Sequence, residues 1–253
     1  MSRTDLTGRT AIVTGSRRGI GAAIVRELLD HGATVVVCGR GEAGVADLVQ
    51  TLDTTAPGRV RGCAADLTTA PGREHLLETA ATVDILVNNA GGFTRVMDTL
   101  GSTLDEWNDQ LAVNLTVPFL LCQAALPAMI EQGWGRIVNV GSIVASAPQL
   151  GNAIGYVAAK AGLVGFTSQL AAEVAHAGVT ANVVNPGTIG TEHLRDYLAA
   201  SDQMTEESLA GRIPVGRLGR PAEIAGVIPY LVSDAGAFIT GAVLDINGGA
   251  IHA

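Results

Sequence analysis

Short runs of β-branched and aliphatic residues punctuate the chain at Thr10 to Val13, Thr34 to Val37, Val60 to Ala64, Asp84 to Val87, Arg136 to Val140, Thr180 to Val184 and Ala242 to Asp245. They lack the in-out alternation of a half-solvated strand, so they read as seven strands buried on both faces of a parallel sheet. Between them the apolar period changes. Ile20, Ile24 and Leu28 keep i, i+4 spacing and stop at Gly32, and Val45, Leu48, Val49 and Leu52 repeat helically ahead of Pro57-Gly58. Parallel neighbours need a crossover, and right-handed helical crossovers on both faces satisfy it. The expected architecture is a doubly wound α/β fold, one domain over residues 1–253 with no dividing linker. One stretch departs from the pattern. Thr188 to Pro214 is polar, mixed in charge and only weakly helical around Leu194 to Ala200, and reads as a lid (188–214) over a site.

Composition narrows the classes. With 47% apolar, 16% charged and 4% aromatic residues, the chain is neither collagenous, disordered nor an aromatic-cored β protein. A net charge of -8 opposes nucleic acid as a partner, since phosphate binding needs a basic footprint. Cys38, Cys63 and Cys122 are far apart with no CxxC spacing, so they read as core thiols. His31, His75, His176, His193 and His252 form no HxxxH pair, and no metal is expected; no Gly-x-Ser-x-Gly elbow is present either. The first ten residues do not resemble a signal peptide, and no run approaches the ~18 consecutive apolar residues of a membrane span. A cytoplasmic location is expected, without a membrane partner.

The first strand runs into Thr14-Gly15-Ser16-Arg17-Arg18-Gly19-Ile20-Gly21, and the next helix begins inside this segment. Strand, glycine turn and helix start in succession make a phosphate cradle. One glycine permits the sharp turn, another lets backbone approach a pyrophosphate, and the last lets the helix pack on the strand. The spacing is wider than GxGxxG and matches TGxxxGxG. Further motifs follow: Asn88-Asn89-Ala90-Gly91 after the fourth strand, Asn114 in a long helix, Ser142 after the fifth strand, Tyr156-Val157-Ala158-Ala159-Lys160, and Asn185-Pro186-Gly187 after the sixth. With these motifs in this order the chain resembles the short-chain dehydrogenase/reductase family over its whole length, and is similar in overall pattern to that family's 3-oxoacyl-carrier-protein reductases. The resemblance implies a Rossmann-type sheet and a homotetramer. It also implies cofactor contacts from Asn89, Ala90 and Gly91, from Asp66 and Leu67 around the adenine, and from Pro186, Gly187, Ile189 and Thr191, alongside Gly15, Ser16, Arg17, Arg18, Gly19, Ile20 and Gly21.

The choice of dinucleotide is read from the end of the second strand. Val37-Cys38-Gly39-Arg40 carries no acid where NAD-specific sites place one to hold the ribose hydroxyls, and Arg40 precedes the first carboxylate, Glu42. Arg17 and Arg18 put cations at a helix start, where they are disfavoured by about 0.3–1 kcal/mol unless an anion compensates. NADP(H) is the expected cofactor, with the dominant arginine left open among Arg17, Arg18 and Arg40.

Tyr156 and Lys160 stand one helical turn apart. An ammonium within ~4–6 Å lowers a phenol from its ordinary pKa of ~10 by about 1–3 units, which would suit a proton donor and acceptor near neutral pH. The resemblance implies that Ser142 holds the substrate oxygen and that Lys160 also grips the nicotinamide ribose. Asn114 would order a water leading from the lysine to solvent. The interval from Ser142 to Tyr156 is about one residue longer than is common in the family.

Placed as in the family, Phe93, Val144, Leu150, Ile189, His193, Leu194 and Tyr197 would wall the reacting carbon. A mainly apolar wall suits a small ketone, a 3-oxoacyl thioester or a secondary alcohol, since such walls discriminate by only about 1–3 kcal/mol per methylene. The expected activity is NADPH-dependent reduction of a ketone to a secondary alcohol. The alternatives are an NAD-dependent alcohol dehydrogenase and a 3-oxoacyl-carrier-protein reductase. A dinucleotide sensor would be expected to lose Tyr156 or Lys160, and related epimerases carry a longer C-terminal substrate domain. The resemblance places carrier-protein docking on basic residues after the long helix and on the tyrosine helix. Here those regions read Met129-Ile130-Glu131-Gln132 and Leu170-Ala171-Ala172-Glu173. With acid and no base there, a free ketone or coenzyme-linked thioester is expected to be reduced better than a carrier-linked one, unless Arg136, Arg195 or Arg212 is recruited.

Overall fold

Each apolar run forms a strand: β1 (Thr10–Val13), β2 (Thr34–Gly39), β3 (Val60–Ala64), β4 (Ile85–Asn88), β5 (Gly135–Val140), β6 (Val179–Pro186) and β7 (Val243–Ile246). The seven pair in parallel throughout, in the order β3-β2-β1-β4-β5-β6-β7, which confirms the doubly wound fold. The computed structural model describes residues 3–93, 95–96, 98–147, 152–199 and 205–251. In a parallel sheet all carboxyl ends share one edge. The strand order reverses between β1 and β4, and there the loops diverge and leave a crevice.

Helices cover both faces. On one side α1 (Gly19–Asp30), α2 (Glu42–Asp53), α9 (Pro221–Ala225) and α10 (Ile228–Leu231) bury Val25, Leu28, Val45, Ile224 and Ile228 against β1, β2 and β4. On the other, α3 (Ala70–Ala80), α5 (Val117–Glu131) and α6 (Ile154–Val174) bury Leu76, Leu121, Met129, Leu170 and Val174. The central strands are buried on both faces, as their composition predicts. The edge strands are not: Arg61 and Gly62 of β3 and Val243 and Asp245 of β7 are exposed, because helical cover runs out at the sheet's margins. The polar stretch after β6 contains α7 (Glu192–Ala199) and α8 (Glu206–Ala210).

The long helix anticipated around Asn114 is interrupted. α4 (Leu104–Leu111) passes through a π turn at Ala112–Thr116 into α5, with the Val117 N–H donating to the Ala112 carbonyl five residues back. Pro118 has no N–H to donate to the Asn114 carbonyl one turn earlier, which removes an α-type bond at the turn. Read through the turn, Leu104–Glu131 is long and apolar enough to cross a membrane, with mean hydropathy 1.7. Its inner positions, Leu121, Ala125 and Met129, are instead packed in the core, while Phe119 and Ile130 face outward.

A buried polar chain ties the sheet to α6. Asn88 Nδ2 donates to Asn139 Oδ1 at 2.8 Å, Asn139 Nδ2 to Thr167 Oγ1 at 2.8 Å, and Thr167 Oγ1 to the Leu163 carbonyl at 2.7 Å. Asn139 is fully buried, so replacing it with a same-sized apolar residue leaves the Asn88 amide nitrogen only a long, weak contact to Cys122 Sγ at 3.5 Å. Asn139→Leu is expected to cost about 2–3 kcal/mol, seen as a lower urea midpoint with an unchanged slope.

Candidate active site

The phosphate cradle is built by glycines whose missing side chains are occupied space. Gly15 and Gly19 have φ of +62° and +58°, the left-handed region that glycine enters freely. A Cβ on Gly15 would lie 2.8 Å from Ala90 Cα, and one on Gly21 2.5 Å from Asn89 Nδ2. Asn89 fastens β4 to the cradle: its Nδ2 donates to the carbonyls of Thr14 (2.9 Å) and Gly15 (3.1 Å), while Thr14 Oγ1 accepts from the Asn89 and Ala90 N–H groups. α1 begins at Gly19 with no side-chain cap at Arg18 and no acid in its first turn, so its first N–H groups and its positive end face the crevice. An anion such as a dinucleotide pyrophosphate fits that uncapped end and the close backbone approach that the glycines permit.

The residues expected to touch cofactor do not all present side chains. Ser16 is buried, with its hydroxyl accepting from the Cys38 N–H at 2.7 Å and holding the cradle to β2. Leu67 and Ile189 are also buried, the latter in the core. Asp66 is exposed; its hydrogen bonds from Thr68, and to a lesser degree Arg40 nearby, keep its carboxyl below the usual range. Pro186 ends β6, and Gly187 lies where a Cβ would come 2.7 Å from Asn247 Cα. Thr191 packs on the cradle, its Cγ2 3.2 Å from where a Gly19 Cβ would stand. The two arginines diverge. Arg18 Nη1 reaches Asp196 of α7 at 3.3 Å, whereas Arg17 lies along α2.

Across the crevice, Tyr156, Lys160, Ser142 and Asn114 converge. Ser142 leaves β5 in extended conformation, and its N–H donates to Asn185 Oδ1 at 3.0 Å. Asn185 is anchored in turn on Asp245 at 3.0 Å. A Cβ on Gly141 would run into Asn185 Oδ1, so this clamp needs a glycine beside the serine. The Ser142 hydroxyl lies beside the Tyr156 phenol. Asn114 sits in the π turn, fully buried, donating to the carbonyls of Gly92 (3.1 Å) and Gln110 (3.0 Å) and accepting from the Gly92 N–H at 2.9 Å. Lys160 Nζ donates to the Val140 carbonyl at 2.7 Å and stands 5.7 Å from the Tyr156 ring centre.

The electrostatics differ from the expectation of a lysine-lowered phenol. Burial of the phenol raises the Tyr156 pKa, and the Ser142 hydroxyl beside it opposes the rise. Burial also pulls the Lys160 ammonium down to about 8. Desolvation sets the direction of both shifts, while the ammonium is engaged by the Val140 carbonyl rather than by the phenol.

Phe93 stacks at 5.1 Å from the Tyr156 ring and meets Tyr197 of α7 edge-on at 6.3 Å. His193 Nε2 is 3.2 Å from the Phe93 carbonyl, which only accepts, so that nitrogen carries the proton. Val144 is buried in the 3₁₀ turn after Ser142, and Leu194 is half-buried on α7. Leu150 lies outside the described residues. Sequence reasoning gave no separate role to Thr14, Asn139 or the Asn185 clamp. Their signal is a polar side chain in or beside an otherwise apolar strand, which burial obliges to find a partner.

A crevice of this kind, at the reversal of strand order with a phosphate cradle on one wall, belongs to the dinucleotide-binding α/β enzymes. Comparison with known proteins narrows that class. A family model described as enoyl-(acyl carrier protein) reductase matches residues 15–251. The 3-oxoacyl-[acyl-carrier-protein] reductase of Vibrio harveyi is 41% identical over 251 residues, covering 97% of this chain and 98% of that protein. Its Escherichia coli K12 counterpart is 40% identical over 245 residues, with 97% and 98% covered. Among solved structures, a putative NAD(P)-dependent gluconate 5-dehydrogenase from Beutenbergia cavernae with bound NADP superposes with a TM-score of 0.90 at 35% identity, covering 98% of this chain and 99% of that one. A putative gluconate dehydrogenase from Agrobacterium tumefaciens gives 0.89 at 31% identity, with 99% and 98% covered. The chain belongs to the short-chain dehydrogenase/reductase family and is an oxidoreductase.

The buried lysine makes a stability prediction. Its folded pKa of about 8 lies below the unfolded value, so between pH 8 and about 10.5 the unfolded chain binds more protons and stability rises with pH. The penalty for holding the ammonium is fully present below pH 8 and relieved above it. The stability of wild type relative to Lys160→Met should therefore rise by about 3 kcal/mol across that window; a pH-independent difference in urea unfolding would contradict the buried ammonium.

Proposed function

We propose that the protein reduces a ketone, of the 3-oxoacyl thioester class, to a secondary alcohol with NADPH. The observation that carries this reading is the half-buried Ser142–Tyr156 pair opposite the uncapped start of α1, because it offers a proton to a carbonyl oxygen at one wall while the other wall binds phosphates. Relatives named as 3-oxoacyl-[acyl-carrier-protein] reductases and a neighbour with bound NADP support it. NADP(H) would be held by the Gly15–Gly21 cradle, by Asn89 to Gly91 and by Arg17 or Arg40 at its extra phosphate, and when bound it supplies the hydride.

The chain's own groups do the rest. Ser142 orients the substrate oxygen, its own backbone clamped by Asn185. Tyr156 gives its proton to the developing alkoxide: the phenol is protonated at neutral pH, lies beside Ser142, and the alkoxide formed on hydride addition is a strong enough base to take that proton. Lys160, ionised or neutral around pH 8, sits where it can refill that proton, and Asn114 holds the Gly92 backbone beside it. Phe93, Tyr197, Leu194 and Val144 offer an apolar wall, and His193 closes it through the Phe93 carbonyl.

Tyr156→Phe is expected to abolish NADPH oxidation with a 3-oxoacyl thioester while leaving NADPH binding within about twofold, since only the transferable proton is lost. Retained turnover would sink the assignment. Glu131, Gln132 and Glu173 are exposed, and Arg136 is buried against Gly178 and Trp134, so it is not available to a docking partner. The same acyl group should therefore be reduced at least as well on coenzyme A as on an acidic carrier protein. A higher, salt-sensitive kcat/KM on the carrier would place a docking surface elsewhere.

A further inference from the structure

The first turn of α2 contains a glycine that the backbone does not require. Gly44 is the third residue of the helix and, unlike Gly41 before it, lies inside the helix rather than at its cap. It is not among the residues with positive φ. An unstrained helical glycine costs about 1 kcal/mol relative to alanine, so the missing side chain needs a reason. The space is taken. A Cβ on Gly44 would come 2.7 Å from Arg17 Cδ and 2.8 Å from Arg17 Nη1, and Arg17 Cβ is 3.8 Å from the corresponding position on Gly39 at the end of β2.

Arg17 is thus laid from the phosphate cradle across the end of β2 onto α2, where Arg18, turned to Asp196, does not follow. Among the described residues Arg17 forms no ion pair, although Asp47 shares the 440 Å³ hollow lined by Arg17, Arg18, Gly44 and Leu48. Its backbone leads into the start of α1 and its guanidinium lies at the start of α2, both positive helix ends, where a cation is unfavourable without an anion beside it. Arg40, exposed at the end of β2, adds a further positive charge there. This is the end of the strand where the adenosine ribose is discriminated in such folds.

We propose that Gly44 is a positioning residue for cofactor choice: by lacking a side chain it admits the Arg17 guanidinium into the first turn of α2, and so sets the preference for a dinucleotide carrying a phosphomonoester on its adenosine ribose. This rests on the NADPH reading above. An alanine at 44 improves the helix and displaces only the flexible end of Arg17, so folding and phosphate recognition should move in opposite directions.

The test uses adenosine 2',5'-bisphosphate and 5'-AMP as probes, bound to the full chain and followed by calorimetry. Gly44→Ala is expected to weaken the bisphosphate about tenfold, leave 5'-AMP within about twofold, and not lower the melting temperature. Arg17→Ala should show the same selective loss, and Gly44→Ala with Arg17→Ala should be no weaker than Arg17→Ala alone, since both act through one guanidinium. Unchanged bisphosphate affinity in Gly44→Ala, or additive losses, would overturn the inference while leaving the NADPH reading intact. Equal affinity of the wild type for the two probes would instead remove that reading, and this inference with it.

Discussion

The carboxyl edge of the sheet depends on one fastening, the side chain of Asn89 bridged to the carbonyls of Thr14 and Gly15. β1 and β4 are neighbours whose outgoing loops must part, because the strand order reverses between them. Left to themselves, two parting loops would set no fixed width for the crevice. The asparagine closes its inner end by donating from both its side chain and its backbone N–H, and Thr14 Oγ1 accepts the N–H groups that the parting would otherwise orphan. The cradle glycines then follow as a steric consequence, since a side chain at Gly15 or Gly21 would strike this same bridge. Geometry for phosphate on one wall and for the serine and tyrosine on the other is referred back to it.

The opposite wall is set by burial. Ser142 takes its position from a clamp two residues deep, Asn185 on Asp245, and α6 is tied under the sheet through Asn88, Asn139 and Thr167. Buried polar groups of this kind are costly to leave unpaired and therefore fix a single arrangement. Burial shifts the titrating groups as well, raising the Tyr156 phenol and lowering the Lys160 ammonium, because each charged form loses solvation.

The strands were legible because each is a compact β-branched run, and the helices α1 and α2 because their apolar spacing and glycine stops agree. The cradle, the asparagine loop and the Tyr156–Lys160 pair were legible because their chemistry requires fixed spacing on a single element. What lay beyond the sequence depends on contacts between distant segments. Nothing local at Asn114 announces a π turn; it comes from Pro118 and from bonds to Gly92. The exposed faces of β3 and β7 reflect where the helical layers end, and the raised Tyr156 pKa reflects how distant segments pack around the phenol, which no spacing of residues encodes.

The two adjacent arginines show how one cradle serves two neighbours. Arg18 and Asp196 are both largely exposed, at 49% and 69%, so their ion pair holds α7 only weakly, by no more than about 1 kcal/mol. The seat of α7 is better explained by Thr191 packed on Gly19, by His193 bound to the Phe93 carbonyl and by Tyr197 against the Phe93 ring, contacts that join the cradle, α7 and the wall beside Tyr156. An element with no buried apolar residue of its own adds little to the core and is drawn from the low-stability end of the fold. Arg17 turns the other way, to an element whose buried Val45 and Leu52 fix it to the sheet. Of two adjacent cations, one is thus laid on an element anchored in the core and the other on an element that is not, and among the described residues only the second has a carboxylate partner.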